Sequence, residues 1–217
     1  MQNISRSFLE GEAKFKVLDN IQLQIHEGEY VAIIGQSGSG KSTLLNILGC
    51  LDNHFEGSYK LMNKEISTHS DKEVSQIRNA MIGFVFQSFN LIPQLTLREN
   101  VEVPLTYLGI NKEERHRRSD EFLDKMKISH RKHFFPTQIS GGEKQRCAIA
   151  RALASHPSLI LADEPTGNLD SKTGEEIMCI FNDLNAQGKT IIMVTHDNKI
   201  ANSIPRVIRM KDGLIVP

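Results

Sequence analysis

The chain has 217 residues, with 26 basic and 26 acidic side chains. This length suits one globular domain with room for an inserted subdomain. The balanced charge argues against a general polyanion-binding protein, so no nucleic-acid partner is expected. Apolar runs such as Val31 to Ile34 are far shorter than the roughly 20 residues that a membrane-spanning helix needs.

Cysteine and histidine spacing offers no structural metal or disulfide framework. The three cysteines Cys50, Cys147 and Cys179 are far apart and show no C-x-x-C pattern. His130 and His133 lack an acidic or cysteine partner at ligand spacing, which favours a solvated turn. The first residues also lack the apolar segment of a signal peptide, so a cytoplasmic chain is expected.

Short apolar runs rich in β-branched residues alternate with segments of helical period, which predicts an α/β fold with a mostly parallel sheet. In chain order, the predicted strands are Tyr30–Ile34, Ile82–Phe86, Leu159–Ala162, Thr190–Thr195 and Arg206–Met210. Between Gln87 and Ser140 the strand pattern is replaced by charged helical sequence. We predict one domain over 1–217, with a core of 1–87 and 156–217 and an inserted helical subdomain over about 88–155.

Two helices stand out in this pattern. The first is predicted over Lys112–Asp124, where the basic cluster 115–118 is mixed with acidic residues and is interpreted as a solvated helix face. The second runs from Ser171 to Gln187, with its apolar residues on one face, and Gly188 is expected to end it.

A phosphate-binding pattern follows the first predicted strand. Residues 35–42 read Gly-Gln-Ser-Gly-Ser-Gly-Lys-Ser, which fits G-x-x-x-x-G-K-[ST], and Thr43 begins a helical run. Strand, loop and helix would direct backbone N–H groups and a helix N-terminus at one anion. Lys41 would reach the β- and γ-phosphates, and Ser42 would bind Mg²⁺. The alternative is a Gly/Ser-rich turn, but a chance match is expected in only about one chain in a hundred of this length.

The predicted strand Leu159–Ala162 ends in two carboxylates, Asp163 and Glu164, before Pro165 stops the strand. Beside a phosphate loop, Asp163 would hold Mg²⁺ and Glu164 would orient and deprotonate the attacking water. A solvated Asp-Glu turn is the alternative interpretation.

The segment Ser140-Gly141-Gly142-Glu143 has two interpretations that can hold together. It matches a capping box at the start of a helix predicted over Lys144–Ala154. Two glycines in a first helical turn each cost up to about 1 kcal/mol relative to alanine, and they would allow close approach of a second ligand.

In this order, the motifs resemble those of the ATP-binding cassette ATPases over essentially the whole chain. The matches are Walker A at Gly35–Ser42, the Q-loop at Gln87, the signature motif at Ile139–Gln145, Walker B at Leu159–Glu164, the D-loop at 168–170 and the H-loop at His196. Taken alone, Gln87 and His196 are only polar residues at strand ends.

The resemblance implies a phosphate-loop core with an antiparallel β portion near the N-terminus, and an ATPase that uses ATP and Mg²⁺. Two copies would enclose two ATP molecules head to tail, each nucleotide lying between one Walker A loop and the partner's signature residues. The implied catalytic residues are Lys41, Glu164 and His196. The implied metal ligands are Ser42, Gln87 and Asp163. The implied nucleotide-binding residues are Phe8, Val17, Gly35, Gln36, Ser37, Gly38, Ser39, Gly40, Lys41, Ser42, Thr43, Gln87, Ser140, Gly141, Gly142 and Asp170.

The strings 82–91 and 163–170 look like one branch, which contains the ATPases of macrolide exporters and lipoprotein-releasing complexes. That branch implies a peripheral subunit at the cytoplasmic face of the plasma membrane, which couples ATP-driven dimerisation to export or extraction by a separate permease. The alternative is a soluble cassette ATPase in a non-transport assembly or in nucleic-acid maintenance. Maintenance ATPases are split by long coiled coils, and no sustained heptads occur here.

Some positions depart from the family pattern. Phe8 stands where a tyrosine usually stacks on adenine, with Val17 as an apolar neighbour and Phe15 as the competing choice. The chain begins seven residues before Phe8, which predicts a shortened first strand. The signature motif opens with Ile139 rather than leucine, and Glu143 replaces the common glutamine.

Overall fold

A six-stranded, mostly parallel sheet forms the centre of the protein in a computed structural model that describes residues 1–11 and 13–216. The strands are β1 (Gln2–Glu10), β2 (Ala13–Ile21), β3 (Tyr30–Gly35), β4 (Glu56–Ser58), β5 (Lys60–Leu61), β6 (Lys64–Glu65), β7 (Ile82–Phe86), β8 (Leu159–Asp163), β9 (Thr190–Val194), β10 (Arg206–Lys211) and β11 (Leu214–Val216). The helices are α1 (Lys41–Leu48), α2 (Asp71–Met81), α3 (Leu97–Tyr107), α4 (Lys112–Lys125), α5 (Gly141–Leu153), α6 (Ser171–Ala186) and α7 (Asn198–Asn202).

The central sheet has the order β11-β10-β3-β9-β8-β7, and only β11 runs antiparallel to its neighbour. Strands β8 and β9 are almost entirely buried. Burial on both faces explains why these strands read as continuous apolar runs rather than as alternating patterns. All five predicted strands are present, and their bounds differ from the predictions by at most one residue.

Alternate residues of β3 face two different cores. Tyr30, Ala32 and Ile34 pack into a cluster that includes residues of α3, α5 and α6. Val31 and Ile33 face a second cluster, which includes α1, α2 and the N-terminal strands. Because successive side chains of a strand point to opposite faces, one strand holds both layers together.

The second sheet, with the order β2-β1-β4, is antiparallel. Ile4, Leu18 and Ile21 pack from it into the second core and are almost completely buried. The antiparallel portion near the N-terminus is therefore confirmed. The first strand spans nine residues.

Helices α3, α4 and α5 all come between β7 and β8 in the sequence, although these two strands are hydrogen-bonded neighbours in the sheet. Leu105, Leu123 and Ala150 from these helices are fully buried in the first core. The chain thus leaves the sheet after β7, forms a layer of helices and re-enters the sheet at β8. The exact subdomain bounds, 88–155, stay a prediction.

The basic cluster of α4 is only partly a solvated face. Arg117 and Arg118 pair with Glu114 at 2.8 and 2.7 Å. His116 instead lies 2.7 Å from the buried carboxylate of Glu102 on α3. The predicted solvated face is therefore exposed at Arg117, whereas at His116 the facing helix places an acidic partner against the imidazole.

The observed helices agree closely with the sequence pattern. Helix α6 ends at Ala186, and Gly188 follows with φ +87°, in the left-handed conformation that glycine tolerates at a helix end. None of the helices in the described residues combines the length and the apolar character required for a membrane span.

Candidate functional site

The predicted site residues gather at the carboxyl ends of neighbouring parallel strands. Strand β3 ends at Gly35, β8 at Asp163 and β9 at Val194, and in the ladder Asp163 pairs with Val194. Parallel strands all end at the same edge of a sheet, so their following loops converge there. The tertiary structure thus places the loops that begin at residues 36, 164 and 195 side by side.

The phosphate loop turns between β3 and α1 through left-handed backbone. Gly38 and Gly40 have φ values of +79° and +96°, which side chains other than glycine rarely tolerate. A Cβ on Gly40 would lie 2.8 Å from Leu18 Cδ2 and 2.9 Å from the Val17 carbonyl oxygen. Glycine at position 40 is therefore required by both conformation and space.

The N-terminus of α1 lacks the capping that other helices of this chain have. Helices α2, α3 and α5 each begin with a capping box, whereas Gly40 provides no side-chain cap and the first turn of α1 carries no acidic residue. In the same loop, the buried hydroxyl of Ser39 has no hydrogen-bond partner among the described residues. Uncapped N–H groups and an orphaned hydroxyl are the features of an anion site.

Lys41 adds positive charge at this point. Its side chain is buried, and Nζ donates to the carbonyl oxygens of Gly35 and Gln36, at 2.8 Å each. Among residues 1–11 and 13–216, Lys41 has no acidic side chain within salt-bridge distance. A buried ammonium group held only by carbonyl oxygens favours binding of an anion.

Walker B contributes two carboxylates with different surroundings. Burial and the adjacent Glu164 raise the pKa of Asp163, while Lys41 opposes that rise. Glu164 has φ +45°, a conformation that costs a residue with a side chain about 1–2 kcal/mol. Its N–H donates to the Val194 carbonyl oxygen at 2.9 Å, which ties the residue to β9. Strain of this kind is often found at functional sites.

Glu164 and His196 are in direct contact. His196 Nδ1 lies 2.7 Å from Glu164 Oε1, although the residues are 32 positions apart in the chain. The His196 side chain is 69% exposed and that of Glu164 is 20% exposed. The pair therefore combines an anchored carboxylate with an accessible imidazole.

The loops enclose an open cleft of about 420 Å³. Its lining residues are Val17, Ser37, Gly38, Gly40, Lys41, Ser42, Thr43, Glu164, Val194 and His196. The cleft thus brings the predicted phosphate loop together with the predicted base and histidine. It has the chemistry of a phosphate site, with backbone N–H groups and an ammonium on one side and a carboxylate on the other.

The predicted metal ligands all offer oxygen, which is the donor that Mg²⁺ prefers. Ser42 lines the cleft, and Asp163 is close enough to Lys41 for the two charges to interact. Gln87 does not line the cleft; its side chain packs against Gly167, where a Cβ would lie 2.6 Å from Nε2. Asp163 ends β8 and Gln87 directly follows the neighbouring strand β7, so the metal-ligand set stays a prediction.

The aromatic candidates lie on the N-terminal hairpin. Phe8 and Phe15 are cross-strand partners in β1 and β2, and both are exposed. The guanidinium of Arg6 lies 4.2 Å from the ring centre of Phe8. Val17 lines the cleft, whereas neither phenylalanine does. The choice between Phe8 and Phe15 as the stacking residue stays a prediction.

The signature residues lie at a different place. Ser140 caps α5, and Gly141 faces Leu169, where a Cβ would have 3.4 Å to its nearest atom. Gly142 packs tightly against Thr173 of α6. Asp170 is the N-cap of α6 and accepts from the Thr173 N–H at 3.0 Å. None of these residues lines the cleft.

Arg151, which has no role in the sequence patterns, and Asn168 of the predicted D-loop hold the loop after Gln87. Phe89 and Asn90 both have left-handed φ values, and Arg151 of α5 donates to both of their carbonyl oxygens. Asn168 Nδ2 donates to the Gln87 carbonyl oxygen at 3.0 Å. Arg151 lies on the same side of α5 as the buried Cys147. A charged residue on this otherwise apolar side was the sequence signal that could have identified Arg151.

Comparison with known proteins agrees with this geometry. Residues 18–167 match the family model "ABC transporter". An uncharacterized ABC transporter ATP-binding protein of Bacillus subtilis is 50% identical over the whole chain, which spans 94% of that protein. The macrolide export ATP-binding/permease protein MacB of Azoarcus is 48% identical over the whole chain, which spans 33% of that longer protein. The solved dimeric cassette MJ0796, bound to ADP and Pi in a post-hydrolysis state, superposes with a TM-score of 0.91 at 47% identity and covers 100% of this chain and 95% of its own.

The family model matches most of the chain, and the relatives align with it from end to end. The cleft brings together the phosphate loop, the Glu164 carboxylate and the His196 imidazole. The chain therefore belongs to the ABC transporter family, as an ATP-binding and ATP-hydrolysing subunit.

Proposed function

We propose that two copies of this chain bind two ATP molecules between them, and that ATP binding and hydrolysis drive export or extraction by a transmembrane permease. The observation that carries the two-copy site is that Ser140, Gly141 and Gly142 do not line the cleft of their own chain. A second copy would bring its signature residues to that open cleft. The dimeric cassette MJ0796 supports this arrangement.

Each side of the cleft has a distinct task in hydrolysis. The uncapped N-terminus of α1 and Lys41 bind the β- and γ-phosphates. Glu164 accepts a proton from the attacking water, and its contact with His196 keeps that imidazole at the cleft for the γ-phosphate. Val17 provides an apolar wall for the nucleotide, with Phe8 as the stacking aromatic.

Ser42 and Asp163 would hold Mg²⁺, with Gln87 as the ligand that links the metal to the helical layer. When bound, Mg²⁺ neutralises phosphate charge. Burial and the charge of Glu164 raise the pKa of Asp163, and a bound cation would favour its ionised form.

A separate groove of about 770 Å³ is the surface that we assign to the permease. It lies among α2, β7, α3 and α5, and its wall is mostly apolar. Tyr107 in this groove is 80% exposed, and Leu51 is also exposed. A relative that carries its permease in the same polypeptide supports a permease partner for this chain. With such a partner, the subunit would lie at the cytoplasmic face of the plasma membrane. The alternative role in nucleic-acid maintenance has no support among the named relatives, which are transporter proteins.

Replacing Lys41 by alanine tests the phosphate site. We expect Lys41→Ala to weaken ATP binding at least about tenfold, because it removes the charge aimed at the β- and γ-phosphates. Titration with a fluorescent ATP analogue measures this, with the exposed Lys211→Ala as the control. Equal affinity in a folded Lys41→Ala protein would contradict the assignment.

Glu164→Gln tests the chemistry. The amide keeps an oxygen near His196 but cannot take a proton, so ATP turnover should fall by roughly 10²–10⁴-fold while ATP binding persists. Phosphate release measures turnover, and Glu175→Gln, on the exposed side of α6, is the matched control. Normal turnover by Glu164→Gln would move the role of base to another residue, and His196 would be tested next.

The two-copy site is tested in the Glu164→Gln background, where hydrolysis cannot dissolve the complex. With ATP, light scattering should give a mass near twice 24.4 kDa, and without ATP the mass of a monomer.

Adding Gly141→Asp should abolish the dimer, because it places a carboxylate beside the γ-phosphate. The substitution has room in the single chain, since a Cβ there has 3.4 Å to its nearest neighbour. Gln187→Glu, which adds a carboxylate at an exposed position with φ −82° after α6, is the control. ATP-dependent dimerisation by the Gly141→Asp variant would show that Ser140–Glu143 is a helix cap only.

The groove is tested by photo-crosslinking in cells. A photoreactive residue at position 107 should form an adduct with an integral membrane protein, because Tyr107 would lie in the permease interface. A photoreactive residue in place of Leu214, which is exposed on β11, should not form this adduct. Adducts to proteins without membrane spans, at 107 alone, would contradict the groove assignment.

A further inference from the structure

The carboxylate of Glu143 lies directly against the signature serine. Its Oε2 accepts from both the N–H and the hydroxyl of Ser140, each at 2.9 Å. The Ser140 N–H, with its hydroxyl and Arg131, holds the pKa of Glu143 below its usual range. An ionised carboxylate therefore lies one hydrogen bond from the hydroxyl that would face the partner copy's nucleotide.

Arg131 occupies the other oxygen of the same carboxylate. Its Nε lies 3.1 Å from Glu143 Oε1, and its guanidinium lies 4.9 Å from the ring centre of Phe134. His130 Nε2 is 4.0 Å from Oε1 as well. Each oxygen of Glu143 thus has a separate partner, Ser140 at Oε2 and Arg131 at Oε1.

This arrangement matters because a glutamate stands at this position. In the two-copy site, the γ-phosphate would approach Ser140, and an unpaired carboxylate beside it would repel the phosphate. A glutamine would carry no such charge. A fixed cation on the far oxygen offsets the repulsion without occupying the serine hydroxyl.

We propose that Arg131 is a positioning residue of the two-copy ATP site, which neutralises Glu143 so that the partner copy's γ-phosphate can approach Ser140. The inference rests on the proposed function, because it needs the signature residues to meet a nucleotide held by another copy. Arg131 acts through Glu143 and does not itself touch ATP.

A purely structural role for Arg131 gives a different expectation. If its contact with Phe134 only stabilises the turn at 129–131, removing the guanidinium should have the same effect whatever residue stands at position 143. If Arg131 neutralises Glu143, its removal should matter only while the carboxylate is present. A double-mutant cycle separates these two roles.

The experiment uses the full chain with Glu164→Gln and measures the dimer dissociation constant in saturating ATP by analytical ultracentrifugation. Four proteins are compared: the parent, Arg131→Ala, Glu143→Gln and the combination of both. We expect Arg131→Ala to weaken the dimer at least about tenfold, because it leaves an unneutralised carboxylate facing the phosphate across the interface, and Glu143→Gln to restore it. ATP binding by the monomer should be the same in all four, since its own phosphate loop is unchanged.

Lys132→Ala is the matched control, because this neighbouring cation pairs with Asp120 at 3.0 Å and not with Glu143. It should leave the dimer unchanged. An equal loss on Arg131→Ala with glutamate or glutamine at position 143, or no loss at all, would overturn this proposal while leaving the two-copy site intact. A parent protein that stays monomeric in ATP would overturn the two-copy site and this proposal together.

Discussion

An excess of positive charge at the start of α1 is the constraint on which the site depends. The chain caps α2, α3 and α5 with their own side chains but leaves the N-terminus of α1 without one. It also buries Lys41 there, and within the described residues the Lys41 ammonium donates hydrogen bonds only to carbonyl oxygens. Such a loop is favourable only when an anion completes it. The glycines and the orphaned hydroxyl of Ser39 serve the same requirement, because they leave the backbone free to approach a phosphate.

The neighbouring loops add the opposite charge without neutralising the phosphate loop. Glu164 is held in a left-handed conformation by its hydrogen bond to β9, and its carboxylate contacts His196 rather than Lys41. Burial and, after it, the charge of Glu164 raise the pKa of Asp163. In the cleft, the Glu164 carboxylate is therefore paired with His196 and not with the Lys41 ammonium. This separation suits a substrate that brings phosphates, a metal ion and water together.

The loop after Gln87 connects this cleft to the groove between the helices. Arg151 holds the strained carbonyl groups of Phe89 and Asn90, and it lines the groove together with Asn90. Asn168, just before the N-cap of α6, holds Gln87 itself. A displacement of α5 would therefore shift the loop that follows Gln87, because Arg151 is bonded to Phe89 and Asn90. In the proposed transporter, these hydrogen bonds would link the groove to the loop beside Gln87.

The sequence alone determined the features that depend on residue type and local spacing. Buried parallel strands read as apolar runs, so the bounds of β3, β8 and β9 could be predicted to within one residue. The phosphate loop needs glycines and a lysine at fixed positions, so residues 35–42 could be predicted from their spacing. The roles of Gln87 and His196 came only from the resemblance to a family, because a single polar residue at a strand end has no pattern of its own. Only the tertiary structure decided which distant groups meet: His196 with Glu164, Arg151 with the Gln87 loop, and Arg131 with Glu143. Those contacts depend on how strands and helices pack across the sheet, and packing between distant segments leaves no periodic signal along the chain.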